Sequence, residues 1–144
     1  MAKVSIYLLF ERNTKEAFDF YKSVFQSEIT SVNYFRDIPP TEGQPQLSEE
    51  DKDLIMNIQL PILGDNILMG TDSPQKNGFK LNVGNNINIS LEPDSREESE
   101  RIFKALSEGG NVTMNLQDMF WGAYYGSVTD KFNINWMINC ENKK

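Results

Sequence analysis

One order of apolar patterns occurs twice along the chain, and that repeat restricts the fold more than any single motif. Val4 to Phe10 is a short apolar and β-branched run that reads as a buried strand. Asn13 follows at a helix N-cap position, with Glu16 three residues on at capping-box spacing. Ala17, Phe18, Phe20, Tyr21, Val24 and Phe25 then recur every three or four residues, a broad stripe for packing a helix on a sheet. Ile29 to Phe35 alternates as a second strand and Leu54 to Leu63 gives a third. Gly64-Asp65-Asn66 turns the chain into a return strand, Ile67 to Gly70.

After a polar, turn-rich connection from Asp72 to Gly84, the order begins again. Ile87 to Leu91 alternates as a strand, and Ser95 with Glu98 repeats the capping-box spacing. Ile102, Phe103, Ala105 and Leu106 form a helical face, which Gly109-Gly110 brings to an end. Three β segments complete the repeat: Val112 to Gln117, Tyr124 to Thr129 and Ile134 to Asn139. A single βαβββ unit leaves one sheet face bare, whereas two such units can curl around a shared hollow. The expected class is α+β, with two βαβββ modules pairing into a curved, half-barrel mixed sheet and the helices outside. One domain spans 1–144, with modules at about 3–72 and 85–141 and a connection at about 73–84.

Arg36 to Asp53 interrupts the first module with Pro39, Pro40, Gly43 and Pro45, then the acidic run Glu49-Glu50-Asp51. A loop this long reads either as a solvated excursion or as a lid. The acidic run reads as a solvated face.

Composition narrows the chemistry. The formal charge is -7, so the basic footprint of a nucleic-acid binder is missing. No apolar run approaches the ~20 residues that cross a bilayer, and Met1 to Val4 leads straight into a strand with no signal region. A lone Cys140 cannot form an internal disulfide, which points to a reducing cytoplasm. The sequons at Asn88 and Asn111 have no meaning there. Histidine is absent from all 144 residues, which removes the commonest general base and metal ligand near neutral pH. Cys-His and Ser-His mechanisms are thereby excluded.

Several motifs together carry a family resemblance. Asn13-x-x-Glu16-Ala17-Phe18-x-Phe20-Tyr21 after a short strand resembles the opening of the vicinal oxygen chelate superfamily, which includes glyoxalase I, bleomycin-resistance proteins and extradiol dioxygenases. Gly64-Asp65-x-x-Leu68-Met69-x-x-Asp72, the block from Phe120-Trp121-Gly122-Ala123 through Val128-Thr129-Asp130 to Phe132, and Trp136-Met137-x-Asn139-Cys140 are similar to its PhnB-like (demethylubiquinone methyltransferase-like) branch. The resemblance spans about Ile6 to Cys140 and implies paired βαβββ modules in a homodimer. It also implies a divalent metal held by His, Glu or Gln from four strands. Those positions fall near Ile6, Met69, Asn88 and Met137, which offer no carboxylate or imidazole, so neither a metal nor another cofactor is expected. Relatives commonly carry Arg where this chain has Tyr124 and His where it has Asn135.

The resemblance places a candidate pocket in the hollow. Ile6, Leu8, Met56, Met69, Met137 and Trp121 form its wall, and Asn88, Asn135, Tyr124 and Gln117 orient a ligand. The same aromatics and methionines equally suit plain core. Phe120 and Phe132 are expected in the core, with Trp136 beneath the outer helix and Gly126 leaving room for a close approach. Asp118 reads as a surface carboxylate or, alternatively, an acid–base group. Cys140 reads as a poorly activated thiol. Four functions stay open: a metal-free binder of a small organic molecule, a metal-dependent lyase, isomerase or dioxygenase, an enzyme using Tyr124 or Asp118 for proton transfer, and a ligand-free structural dimer.

Overall fold

The computed structural model describes residues 2–39, 48–75 and 79–141. The chain forms two compact units, Met1–Leu81 and Asn82–Lys144. In the first, β1 (Ile6–Phe10) leads into α1 (Thr14–Phe25), then β2 (Ser31–Tyr34), a 3-10 turn at Phe35–Asp37, the short α2 (Glu49–Lys52), β3 (Ile55–Pro61) and β4 (Ile67–Asp72). The second runs β5 (Ile89–Leu91), α3 (Arg96–Ser107), β6 (Asn111–Asp118), β7 (Ala123–Thr129) and β8 (Asn135–Glu141).

Each unit is thus a βαβββ module, and both sheets have the same order: β1-β4-β3-β2 and β5-β8-β7-β6. The helix carries the chain to the far edge of the sheet. Antiparallel hairpins then step back until the last strand pairs parallel with the first, β4 with β1 and β8 with β5. The repeat expected from the apolar pattern is therefore the architecture. Local bounds differ: β2 starts at Ser31 rather than Ile29, and β5 at Ile89 rather than Ile87. The lid reading of the long loop falls largely on residues 40–47, outside the described residues. At the loop's end, Arg12 donates to the Asp51 carboxylate (3.1 Å) and the Glu50 carbonyl (3.2 Å), tying α2 to the end of β1.

The long helices α1 and α3 each cover one face of their own sheet. Ala17, Phe18, Tyr21 and Val24 of α1 are buried, as are Ile58, Leu60 and Leu68 of the sheet, and each large aliphatic or phenyl side chain among them contributes about 1.5–3 kcal/mol. Gly70 permits the close approach, since a Cβ there would lie 2.5 Å from the Phe18 ring. Gly126 plays the same part under α3, 3.0 Å from Phe103 and Leu116, so the room expected at this glycine is filled by the protein itself. Trp136 is fully buried on the same side, as expected.

The capping of α1 departs from the local signal. Asn13 makes no side-chain cap bond. The carboxylate of Asp72, at the end of β4, instead accepts from the Thr14 N–H (3.0 Å), the Thr14 hydroxyl (2.7 Å) and the Ile55 N–H (2.8 Å). A negative charge at the helix N-terminus is favoured by the orphan N–H groups and the macrodipole. In the second module the local cap forms, with Ser95 Oγ accepting from the Glu98 N–H at 3.1 Å. The Glu98 carboxylate turns to Arg101 instead, which holds its pKa below the ordinary carboxylate value.

Candidate functional site

The register separates the two faces of each sheet. In the first, Ile6 pairs with Leu68 and Leu8 with Gly70, so Ile6 and Leu8 lie on the face beneath α1. This corrects their expected place beside Met69. The helix-free face of β1 is carried by Tyr7, whose partner is Met69. All four residues from Ile6 to Leu9 are large and apolar or aromatic, so alternation alone could not assign them.

Tyr7 is the centre of a small network on this face. Its hydroxyl donates to the Met56 carbonyl (3.3 Å) and accepts from Asn57 Nδ2 (3.3 Å). Gln59 Nε2 donates to Asn57 Oδ1 (3.3 Å), and Met69 Sδ lies 3.9 Å from Asn57 Nδ2. Met56 is the extra residue where the β2–β3 register shifts, and it contributes here through its carbonyl. Tyr7, Asn57 and Gln59 were not singled out from the sequence.

On the second sheet Met137 pairs with Ser90 on one side and Ser127 on the other. Asn135 and Asn139 share its face, where Asn135 accepts from the Thr129 hydroxyl (2.7 Å) and donates to the Gly84 carbonyl (3.1 Å). Tyr125 pairs with Asn139 and with Gln117. The polar, half-buried alternation of Ser127 and Thr129 was a signal that Tyr125 shares this face. Asn88 is exposed just ahead of β5. Trp121 meets the Tyr125 ring edge-on at 6.0 Å, and Phe120 meets Trp121 at 5.0 Å. Phe120 is 97% exposed, which overturns its expected place in the core; it lies at the tip of the β6–β7 hairpin, where no second layer reaches it.

Tyr124 also moves. It pairs with Cys140 on the α3 side, donates its hydroxyl to the Glu100 carboxylate (3.1 Å) and lies 3.8 Å beneath the Arg96 guanidinium. Arg96 in turn grips Asp118 at 2.6 and 3.3 Å, so Asp118 is a surface carboxylate with a structural partner. Both side chains of that pair are substantially exposed, and such pairs contribute little stability. Burial first, then the bond to Glu100 and its charge, raise the Tyr124 phenol above its ordinary 10.0, the wrong direction for a base. Stability linked to the protonated phenol is complete below the unfolded value and falls as pH climbs through the folded one. Tyr124→Phe should therefore flatten the alkaline limb of a thermal-unfolding series from about pH 8 to 11. An unchanged limb would mean that this phenol is not coupled to folding.

The four metal positions implied by the resemblance do not fit a hard divalent ion. Ile6 is on the wrong face, and the helix-free faces offer a phenol at Tyr7, thioethers at Met69 and Met137, and a carboxamide at Asn88. Among the described residues no three His, Cys, Asp or Glu side chains come together.

The profile of the 3-demethylubiquinone-9 3-methyltransferase family matches residues 2–139. The chain belongs to that family. Its two modules have the fold of the PhnB structure and of a glyoxalase/bleomycin resistance protein/dioxygenase domain from Frankia. Protein PA1353 from Pseudomonas aeruginosa, a crystal structure, is 34% identical, with 99% of this chain and 100% of that one covered and a TM-score of 0.83. Protein YjdN from Escherichia coli K12 is 29% identical over 94% of this chain and 93% of its own length. The PhnB protein from Bacillus cereus shares the fold at 24% identity and a TM-score of 0.68, with 96% and 99% covered. In this PhnB-like chain each helix-free face carries thioether, aromatic and amide side chains.

Proposed function

We propose that this PhnB-like protein is a metal-independent binder of a small organic molecule, acting as a homodimer in a reducing cytoplasm. The observation that carries the reading is the mixture on each helix-free face taken by itself: Met69 with Asn57 and Gln59 on the first sheet, and Met137, Tyr125 and Trp121 as adaptable apolar surface with Asn135 and Asn139 as orienting groups on the second. Methyl transfer, the activity in the family's description, needs a base to free the acceptor oxygen. On these faces the described strands carry no imidazole or carboxylate short of Glu141 at the end of β8. Cys140 is buried and has no disulfide partner, which suits a reducing compartment. Among the described residues no helix is long and apolar enough to cross a membrane.

Thermal unfolding of the purified protein against magnesium, manganese, nickel and zinc, and against a panel of small aromatic compounds, tests the reading. A ligand at a hundredfold excess over its dissociation constant stabilises by ~2.7 kcal/mol. The expected result is a shift with an aromatic compound, weakened by Trp121→Ala, and none specific to a metal. A metal-specific rise, or silence across both panels, would overturn it. Sedimentation should give a dimer.

A further inference from the structure

We infer that the ligand is uncharged: an aromatic or heteroaromatic compound bearing amide or hydroxyl groups, taken on the helix-free face of the second sheet. The inference rests on the binder reading above and specifies its ligand class.

Charged residues make up 24% of the chain, and the net charge is -7. They are missing from the helix-free rows. Across the second sheet, one row runs Ser90, Met137, Ser127, Met114, and the next runs Asn139, Tyr125, Gln117. A third pairs Asn135 with Thr129 and Asn111. The first sheet follows the same rule without sharing any residue: Tyr7, Met69, Gln59 and Ser31 form one row, and Asn57 pairs with Asn33. The alternation meets a charge at Glu141, where β8 ends.

A sheet face kept in water by its own chemistry would carry its share of charges, as the outer helix faces do with Lys15, Asp19, Glu97 and Lys104. These faces are instead neutral throughout, half-buried on the central strands at Gln59, Met69, Tyr125, Met137 and Asn139 and exposed towards the edges at Tyr7, Asn33, Ser90, Met114 and Gln117. An ion settling on Tyr125 and Met137 would lose hydration with no opposite charge within the rows to replace it. Anions also meet the field of a chain at -7. A neutral ring meets the edge-on Trp121–Tyr125 pair, 6.0 Å apart, without that cost. Each carboxamide offers both a donor and an acceptor, which suits amides and hydroxyls rather than ions.

Calorimetric titration with one skeleton in three charge states tests this: 2-naphthamide, 2-naphthoate and 2-naphthamidinium at a single ionic strength. The amide should bind at least about tenfold tighter than either ion, a difference of ~1.4 kcal/mol. Asn139→Asp places a carboxylate in the row without changing its size. It should reverse the order between amide and amidinium while leaving the melting temperature of the unliganded protein near that of the parent. Ions binding as tightly as the amide would overturn the neutral class and leave the binder reading standing. Silence from all three probes would overturn both. Amide affinity that falls as protein concentration rises would show the face covered by a second copy, and would overturn the inference as well.

Discussion

Asp72→Ala lowers the free energy of unfolding by about 3–4 kcal/mol, since three donors lose a charged acceptor at once. Two of those donors are backbone N–H groups, at the start of α1 and of β3, and Asp72 itself is 4% exposed. Water cannot easily replace the carboxylate without opening the seam between helix and sheet. Asp72→Asn keeps the size and one acceptor oxygen but turns an amide towards a donor, so it should cost about half as much. Urea denaturation with an unchanged slope measures both. A loss under ~1 kcal/mol for Asp72→Ala would show that Asn13 takes over the cap, since an ordinary N-cap exchange costs about that much.

Asp130→Ala is expected to cost about 2–4 kcal/mol in the second module. One oxygen of Asp130 accepts from the N–H groups of Phe132 (2.7 Å) and Ile134 (3.1 Å), fixing the turn between β7 and β8. The other accepts from the indole N–H of Trp136 at 2.8 Å, and the indole is wholly buried. Alanine strands that N–H in the core. The indole contribution is separable: combining Asp130→Ala with Trp136→Phe should recover roughly 1–2 kcal/mol of coupling relative to the sum of the single changes. Strict additivity would remove the indole bond from the account.

These two acids mark where local reading succeeds and where it stops. Asp130 follows its strand within a turn-rich stretch, and its partners lie within six residues, so a local pattern could expose it. The partner of Asp72 on α1 is 58 residues away, and nothing near Asn13 betrays that its capping role is taken. The order of the strands and of the two long helices was legible because each of those segments kept one period, whereas the four-residue α2 fell inside the stretch read as a loop. Face assignment was legible in β8, where Asn135, Met137 and Asn139 alternate with Trp136, Ile138 and Cys140. It failed in β1, where Ile6, Tyr7, Leu8 and Leu9 give no polar side to choose, and a one-residue slip exchanges the faces. Tyr124 failed for a related reason: its true partners, Arg96 and Glu100, come from the helix and leave no trace in the strand's own pattern. Phe120 failed because hydrophobicity alone cannot tell a core residue from the tip of a hairpin.

The two tryptophans differ sharply in setting: Trp136 is 0% exposed, whereas Trp121 is 52% exposed and beside Tyr125. The protein therefore carries a pair of separable optical reporters. A collisional quencher such as acrylamide reaches one indole and not the other, so blue-shifted, shielded emission follows the integrity of the fold. The quenchable, red-shifted component instead follows whatever settles on the neighbouring tyrosine.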